Sequence, residues 1–267
     1  LTNELIEKMI ASAGPHGEVD LLAEFARPLP LTVICEVLGL PLADRAKFTR
    51  WADSVLSTSS PWQLLRAIPT FMKLNHYFRK QIRLCRAEPR EGLISALVEA
   101  EEAGDRLNED ELVAMLFLLL IAGHETTVHL ITSSVIALLE RPEQKAKLMS
   151  DWSHAETAVD EGLRFNSPVM FAKARFASRD MEFFGQQLKQ GDYVVPCLAA
   201  ANRDEAVFAN ADEFEVDRAN AHRHLALGSG VHFCLGAKLT RTEAAIALEA
   251  LFTRLPDLQL AISPEEI

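Results

Sequence analysis

Cys234 lies in the run Leu227-Gly228-Ser229-Gly230-Val231-His232-Phe233-Cys234-Leu235-Gly236, directly ahead of a helical pattern over Ala237 to Phe252. A cysteine in such a place meets backbone N–H groups and the positive end of a helix dipole, both of which favour thiolate over thiol. Thiolate is the form that binds a metal. A buried structural cysteine beside a tight turn is the plainer alternative, and for an isolated cysteine it is the better one. Here Gly228, Gly230 and Gly236, with His232 two residues upstream, weigh toward ligation. His232 and Cys234 alternate along an extended segment and so share a face, but two ligands do not make a zinc site. Cys35, Cys85 and Cys197 are scattered and form no CxxC pair. The glycines also miss the dinucleotide-binding spacing, because position 233 is Phe. What remains is a cysteine used singly, as an axial ligand is.

Two other stretches carry polar groups in chemically suggestive places. Ala122-Gly123-His124-Glu125-Thr126-Thr127 interrupts an apolar helical run. Gly weakens a helix and Thr hydroxyls compete for carbonyls one turn back, so the helix is expected to loosen or bend there. These groups either satisfy one another between packed helices or face something small and polar, such as dioxygen and water. Glu161 and Arg164 stand three apart on one helix face. On spacing alone they are a solvated pair worth ~0.2–0.5 kcal/mol.

Together these stretches resemble the cytochrome P-450 superfamily of haem-thiolate monooxygenases, in its bacterial soluble form. The family pattern Phe-Gly-x-Gly-x-His-x-Cys-Leu-Gly matches 227–236 at every fixed position but the first, where Leu227 stands for Phe. The resemblance implies haem b (iron protoporphyrin IX) with Cys234 as its iron ligand. Leu227, Gly228 and Gly236 then shape the ligand loop, and Leu227 alters packing beside the sulfur. The stretch at 122–127 resembles the family's distal motif. It implies that Gly123 lies against the haem, that Thr126 hydrogen-bonds the oxygen bound at iron, and that Glu125 relays protons. Glu161 and Arg164 match the Glu-x-x-Arg pair, and Arg218 matches its third partner. That triad is expected to be buried and to fix the cysteine loop. His232 and Arg175 match partners of the haem propionates, for which a planar guanidinium suits a carboxylate. Leu118, Ile121, Ala122, Val169, Met170 and Phe171 match positions facing the distal substrate pocket. By chemistry alone these six would be plain core.

The implied activity is insertion of one atom of O2 into a small apolar organic substrate, by hydroxylation or epoxidation. Electrons would come from a ferredoxin or flavoprotein, because the chain shows no flavin or nicotinamide site of its own. Lys238 and Arg241 would form a basic patch for that donor. A non-catalytic haem-thiolate binder or sensor, and a peroxide-driven oxygenase, are the alternatives. The acid–threonine pair weighs against both.

Composition agrees with this class. The chain has 267 residues, 49% of them hydrophobic, enough to bury a sizeable core as one domain. A net charge of −11 argues against a nucleic-acid binder. Four unevenly spaced cysteines point to a reducing compartment rather than a disulfide framework. The longest apolar run, Leu112 to Ala122, falls well short of the roughly 20 residues that span a bilayer. With no signal-peptide pattern, the chain reads as soluble and cytoplasmic, with no membrane partner. It opens inside an apparent amphipathic helix without an initiator Met. Measured against the family, it begins after the early haem-contacting helix and stops before the terminal strand pair, so the resemblance implies a central and C-terminal part of the family fold.

The elements that must position these residues read as mainly α with a small β-sheet insert. The expected divisions are a mostly helical part over 1–166, a β region over 168–200, coil and ligand loop over 201–236, and a final helix over 237–253. Within the first part, the periodicity predicts a helix ending at Gly14-Pro15 and two short helices over Val19 to Leu40, split by Pro28 and Pro30. A helix over Leu42 to Val55 and a loop over Ser57 to Pro61 come next. A long helix to about Arg86 and one over Leu93 to Ala103 follow. Asn108 or Asp110 is expected to cap the next helix, which runs to Glu140 and is apolar almost all round in its first half, marking it as the long, central, buried helix around which the fold is built. Ala155 to Phe165 is a further helix. Phe171–Ala177, Met181–Phe184 and Tyr193–Val195 are the expected strands.

Overall fold

The computed structural model describes residues 1–44, 47, 50–51, 61–102 and 107–266. Most of the helix expected over Leu42 to Val55 and of the loop over Ser57 to Pro61, and the end of the helix expected to reach Ala103, lie outside them. The chain forms two compact units, Leu1–Val128 and His129–Ile267.

The first unit is helical. Helix α1 (Thr2–Ser12) buries Leu5, Ile6 and Met9 on one stripe and stops ahead of Gly14-Pro15. A turn of π-helix, Leu22–Ala26, leads into α2 (Pro28–Leu38). Pro28 and Pro30 start α2 rather than interrupt it, because a first-turn residue has no intrahelical N–H bond to lose. Helix α3 (Pro61–Ala87) carries Pro69 inside it and packs against α4 (Leu93–Glu102). Leu31, Ile34, Phe78, Ile82, Ile94, Leu116 and Leu120 are central to this unit's core.

Helix α5 (Glu109–Leu139) runs through both units. Asn108 caps it: Oδ1 accepts the N–H groups of Asp110 at 3.0 Å and Glu111 at 3.1 Å. Glu111 returns the bond, its Oε2 accepting the Asn108 N–H at 2.8 Å, which completes a capping box. Arg79 and Arg86 of α3 pair with Glu109, Arg79 also with Asp110, across this acidic first turn. Two expectations need correction. The apolar first half predicts cover on every side, yet Ala114, Leu118, Ile121 and Ala122 form an exposed stripe. Hydrophobicity all round does not specify which face polypeptide will cover. The eleven-residue apolar run also understates the helix, which at 31 residues is long and apolar enough to cross a membrane by length and composition. Its packing is that of a core helix, with Leu112, Val113, Leu116 and Leu120 buried in one unit and Leu130, Ile131, Val135 and Leu138 in the other.

The second unit centres on α7 (Ala155–Phe165) packed against α9 (Ala237–Arg254), with α6 (Pro142–Ser150) preceding them. Gly162 lets α7 approach α5, because a Cβ there would collide with Ser134 Oγ. The β region holds two separate antiparallel pairs instead of one small sheet. Strand β1 (Arg175–Phe176) pairs with β4 (Tyr193–Val194), and β2 (Met181–Phe183) with β3 (Gln186–Leu188). The sequence reading missed β3 because its two glutamines break the apolar alternation. Helix α8 (Leu198–Ala201) and turns then lead to the cysteine loop.

Candidate functional site

The loop ahead of α9 is closed by its own backbone. Gly228 N–H donates to Leu225 O at 2.8 Å and Cys234 N–H to Leu227 O at 2.8 Å. Gly228 takes φ +76°, and a Cβ there would press to 3.1 Å from His232 O, so glycine suits both the turn and the closure. A short 3-10 turn, Gly230–His232, brings the chain back to Cys234. Cys234 is partly exposed and stands three residues ahead of Ala237, the first residue of α9. Around it Val231, Phe233 and Leu235 are 97%, 52% and 85% exposed, an apolar rim turned outward. Leu227 is buried beneath the loop instead of lying on its rim. His232 and Arg175 are both exposed, and Arg175 Nη1 donates to Lys173 O at 3.2 Å. Among the described residues no cluster of three or more His, Cys, Asp or Glu side chains is arranged to hold a metal ion.

Behind the loop lies a buried ion network. Glu161 and Arg164 are fully buried and Arg218 is nearly so, which overturns the solvated-pair alternative. Arg164 meets the carboxylate fork-to-fork, Nε to Oε2 at 2.7 Å and Nη2 to Oε1 at 2.8 Å. Its remaining N–H groups reach Asn202 O, Ala211 O and Glu213 O. Arg218 Nε donates to Glu161 Oε1 at 3.0 Å, and its other nitrogens bind Ala209 O, Asn210 O and Glu213 O. The triad thus holds the coil over 202–215, which has no helix or sheet to satisfy its carbonyls. Asn202 and Arg203 tie the same coil locally, Asn202 Nδ2 to Ser167 Oγ at 2.8 Å and Arg203 Nη2 to Phe165 O at 2.7 Å.

Sequence reasoning missed a second carboxylate, Asp160, whose Oδ1 accepts Arg241 Nε at 2.6 Å and faces His224 Nε2 at 3.3 Å. Burial raises its pKa, but the hydrogen bonds from His224 and Arg241 outweigh this and hold it below the usual carboxylate range. No sequence spacing links positions 160, 224 and 241. Arg241 is therefore not the free docking cation expected of it, while Lys238 is exposed. Glu243, one helical turn from Leu239, went unremarked too. It is buried at 9% exposure.

The distal stretch belongs to the first unit. Helix α5 runs through it unbroken. Thr126 Oγ1 donates to Ala122 O at 2.7 Å and Thr127 Oγ1 to Gly123 O at 3.4 Å, the back-bonding expected of these hydroxyls. Buried His124 places Nε2 3.2 Å from Arg27 O. Gly123 faces α2, where a Cβ would come within 3.4 Å of Ile34 Cδ1. Leu118, Ile121 and Ala122 share the exposed apolar stripe, with partly buried Glu125 one turn on. In the second unit, Val169, Met170 and Phe171 are exposed at the edge of the segment that pairs with Cys197 and Leu198. Of these three, Met170 lines a groove of about 540 Å³ whose other walls include His129, Ser133 and Arg203.

Comparison with known proteins adds to this geometry. The family model described as Cytochrome P450 matches residues 61–256. A cytochrome P450 of Bacillus subtilis (strain 168) is 40% identical over 96% of this chain and 62% of its own length. Cytochrome P450 107B1 of Saccharopolyspora erythraea is 42% identical over the whole chain and 64% of its own. The crystal structure of the myxobacterial cytochrome P450 CYP267B1 in complex with myristic acid superposes with TM-score 0.91 at 42% identity, covering all of this chain and 65% of that one. The chain thus spans less than two thirds of the length of these three relatives. A family model matched over most of the sequence, with its cysteine loop and buried triad inside the match, identifies the chain as a member of the cytochrome P450 family.

Proposed function

We propose that this chain is the larger part of a haem-thiolate monooxygenase, with haem b held by Cys234. The observation that carries the reading is the cysteine loop. A partly exposed thiol stands at a helix N-terminus within an exposed apolar rim of Val231, Phe233 and Leu235. Cys234 would hold the iron, the apolar rim would meet the macrocycle, and exposed His232 and Arg175 are suited to its propionates. The haem, when bound, supplies dioxygen activation, the chemistry that leads to insertion of one oxygen atom into substrate.

This chain's residues would set the conditions for it. Cys234, partly exposed and three residues ahead of α9, would be the sulfur that holds the iron. Glu161, Arg164 and Arg218 brace the coil that leads into the loop. Thr126 Oγ1 gives its proton to Ala122 O, so toward an approaching water it acts as acceptor. Rotation of the hydroxyl would exchange that bond and turn it into a donor, with Glu125 proposed as the relay that passes protons from solvent. Leu118, Ile121 and Ala122 in the first unit, and separately Val169, Met170 and Phe171 in the second, expose apolar surface of the kind a small apolar substrate would meet. The relative holding myristic acid makes a small apolar organic molecule the reasonable substrate class. Electrons would come from a ferredoxin or a flavoprotein, and the protein would work as a single soluble domain in the cytoplasm. Lys238 remains as a docking cation for the donor, without Arg241.

The test is the absorption spectrum of the reduced, carbon monoxide-bound protein. A strongly red-shifted Soret band is expected, and Cys234→Ala should abolish it while Cys197→Ala leaves it. A thiolate spectrum retained in Cys234→Ala overturns the assignment.

A further inference from the structure

Asp160 stands beside Glu161 on α7 but serves different partners. Glu161 holds the coil over 202–215, whereas Asp160 reaches the two flanks of the cysteine loop. His224 precedes Cys234 by ten residues and Arg241 follows it by seven, and both converge on one oxygen, Asp160 Oδ1. On the upstream side the chain of bonds continues. His224 Nδ1 accepts the Ala226 N–H at 3.1 Å, which places the imidazole proton on Nε2, facing the carboxylate. Leu225 N–H is fixed to Asn202 Oδ1 at 2.7 Å, and Leu225 O and Leu227 O then receive Gly228 N–H and Cys234 N–H. On the downstream side Arg241 belongs to the second turn of α9, the helix whose N-terminus faces Cys234. The arrangement is buried, with side-chain exposures of 12% for Asp160, 1% for His224 and 25% for Arg241.

We propose that Asp160 is a positioning residue for the thiolate loop: it fixes both ends of the segment that carries Cys234, and so sets where the sulfur stands relative to the α9 N-terminus. The proposal rests on the reading of Cys234 as the iron ligand. A loop of this length, closed mostly by its own turns, has many alternative closures of similar energy, and pinning both ends removes most of them. The ion triad does not do this, because its bonds end at Glu215 and Arg218, before the loop begins. Removal of the Asp160 charge leaves Arg241 without its counter-ion and reduces the charge-assisted bonds from Arg241 and His224 to weaker neutral-acceptor ones, while α7 and α9 keep their apolar contacts.

The experiment uses Asp160→Asn, with Arg241→Lys and Arg241→Gln as milder companions in case the first does not fold. The first readout needs no haem: backbone hydrogen exchange of the unloaded chain. Asp160→Asn should speed exchange across 225–236 by about tenfold or more, the size expected when a charged hydrogen bond is lost, with α5 unchanged. Arg241→Gln should do the same, and Arg241→Lys should recover part of the protection by keeping the charge. The second readout is the reduced, carbon monoxide-bound spectrum of the haem-loaded chain, where the variant should lose several-fold of its thiolate-type band to the neutral-thiol type. Unchanged loop exchange overturns the proposal. So does exchange raised equally throughout α7 and α9 with an unaltered thiolate fraction, since that is the mark of a purely structural contact. If the unsubstituted chain takes up haem without a thiolate band, the ligand assignment fails, and the exchange readout still decides whether Asp160 holds the loop.

Discussion

Glu243 offers a test of how burial is balanced in α9. Its side chain lies on the buried face of the helix with Ala244, Ala247 and Leu248, and Oε2 finds no hydrogen-bond partner among the described residues. Burial alone pushes the carboxyl from 4.5 up to about 8. The folded protein therefore holds this proton at neutral pH. In the unfolded chain the group is in water and loses it near 4.5. Between these values the native state binds one proton more than the unfolded state, so stability falls as pH rises, by about 1.4 kcal/mol per pH unit. Over the window from 4.5 to about 8 the loss comes to about 5 kcal/mol, of which about 3 kcal/mol has accrued by pH 7; above pH 8 nothing more is lost. Below pH 4.5 the group is neutral in both states and makes no difference. Glu243→Gln keeps the shape and removes the titration. Urea unfolding of both proteins at a series of pH values from 5 to 9 measures the effect. The two should be nearly equal at pH 5, with the variant ahead by about 3 kcal/mol at pH 7 and by more at pH 9. Parallel pH curves would refute the reasoning, and would mean that Glu243 is ionised in the fold with a partner or a water to stabilise it.

Three more expectations follow from the geometry. Glu161→Gln should destabilise the second unit by about 3–5 kcal/mol, seen as a lower urea midpoint, because fully buried Arg164 is left without its counter-charge and Arg218 keeps only the more exposed Glu215. Gly162→Ala should lower stability by about 1–3 kcal/mol through the clash with Ser134 Oγ, and a double-mutant cycle with Ser134→Ala should return much of that loss. On the proposed monooxygenase reading, Thr126→Ala in the full-length, haem-loaded protein should lower product formed per electron pair consumed and release peroxide, as loss of a positioned proton donor commonly lowers rates ~10²–10⁴-fold; unchanged coupling would mean that protons arrive by another route.

Local patterns were legible in the sequence because local physics sets them. The Asn108 cap, the stop of α1 before Gly14-Pro15 and the span of α7 follow from backbone N–H groups that need acceptors and from residues that cannot continue a helix. The glycines around Cys234 predict a tight turn ahead of a helix, and the turn is there with Gly228 at positive φ. Family resemblance went further than spacing could, since Glu161 and Arg164 three apart look like any surface pair. Only the fold shows them at zero exposure, with Arg218 joining from more than fifty residues away. Burial is a property of what packs around a residue, and a one-dimensional pattern does not carry it. For the same reason the sequence assigned Arg241 to solvent. It also treated the first half of α5 as covered all round, when Leu118 and Ile121 are exposed. The convergence of Asp160, His224 and Arg241 on one oxygen was the least visible of all. It depends on three segments distant in the chain being brought together, and only packing of α7 against α9 and the coil does that. The sequence determined which residues could do chemistry, and the tertiary structure decided which of their charges are buried and paired.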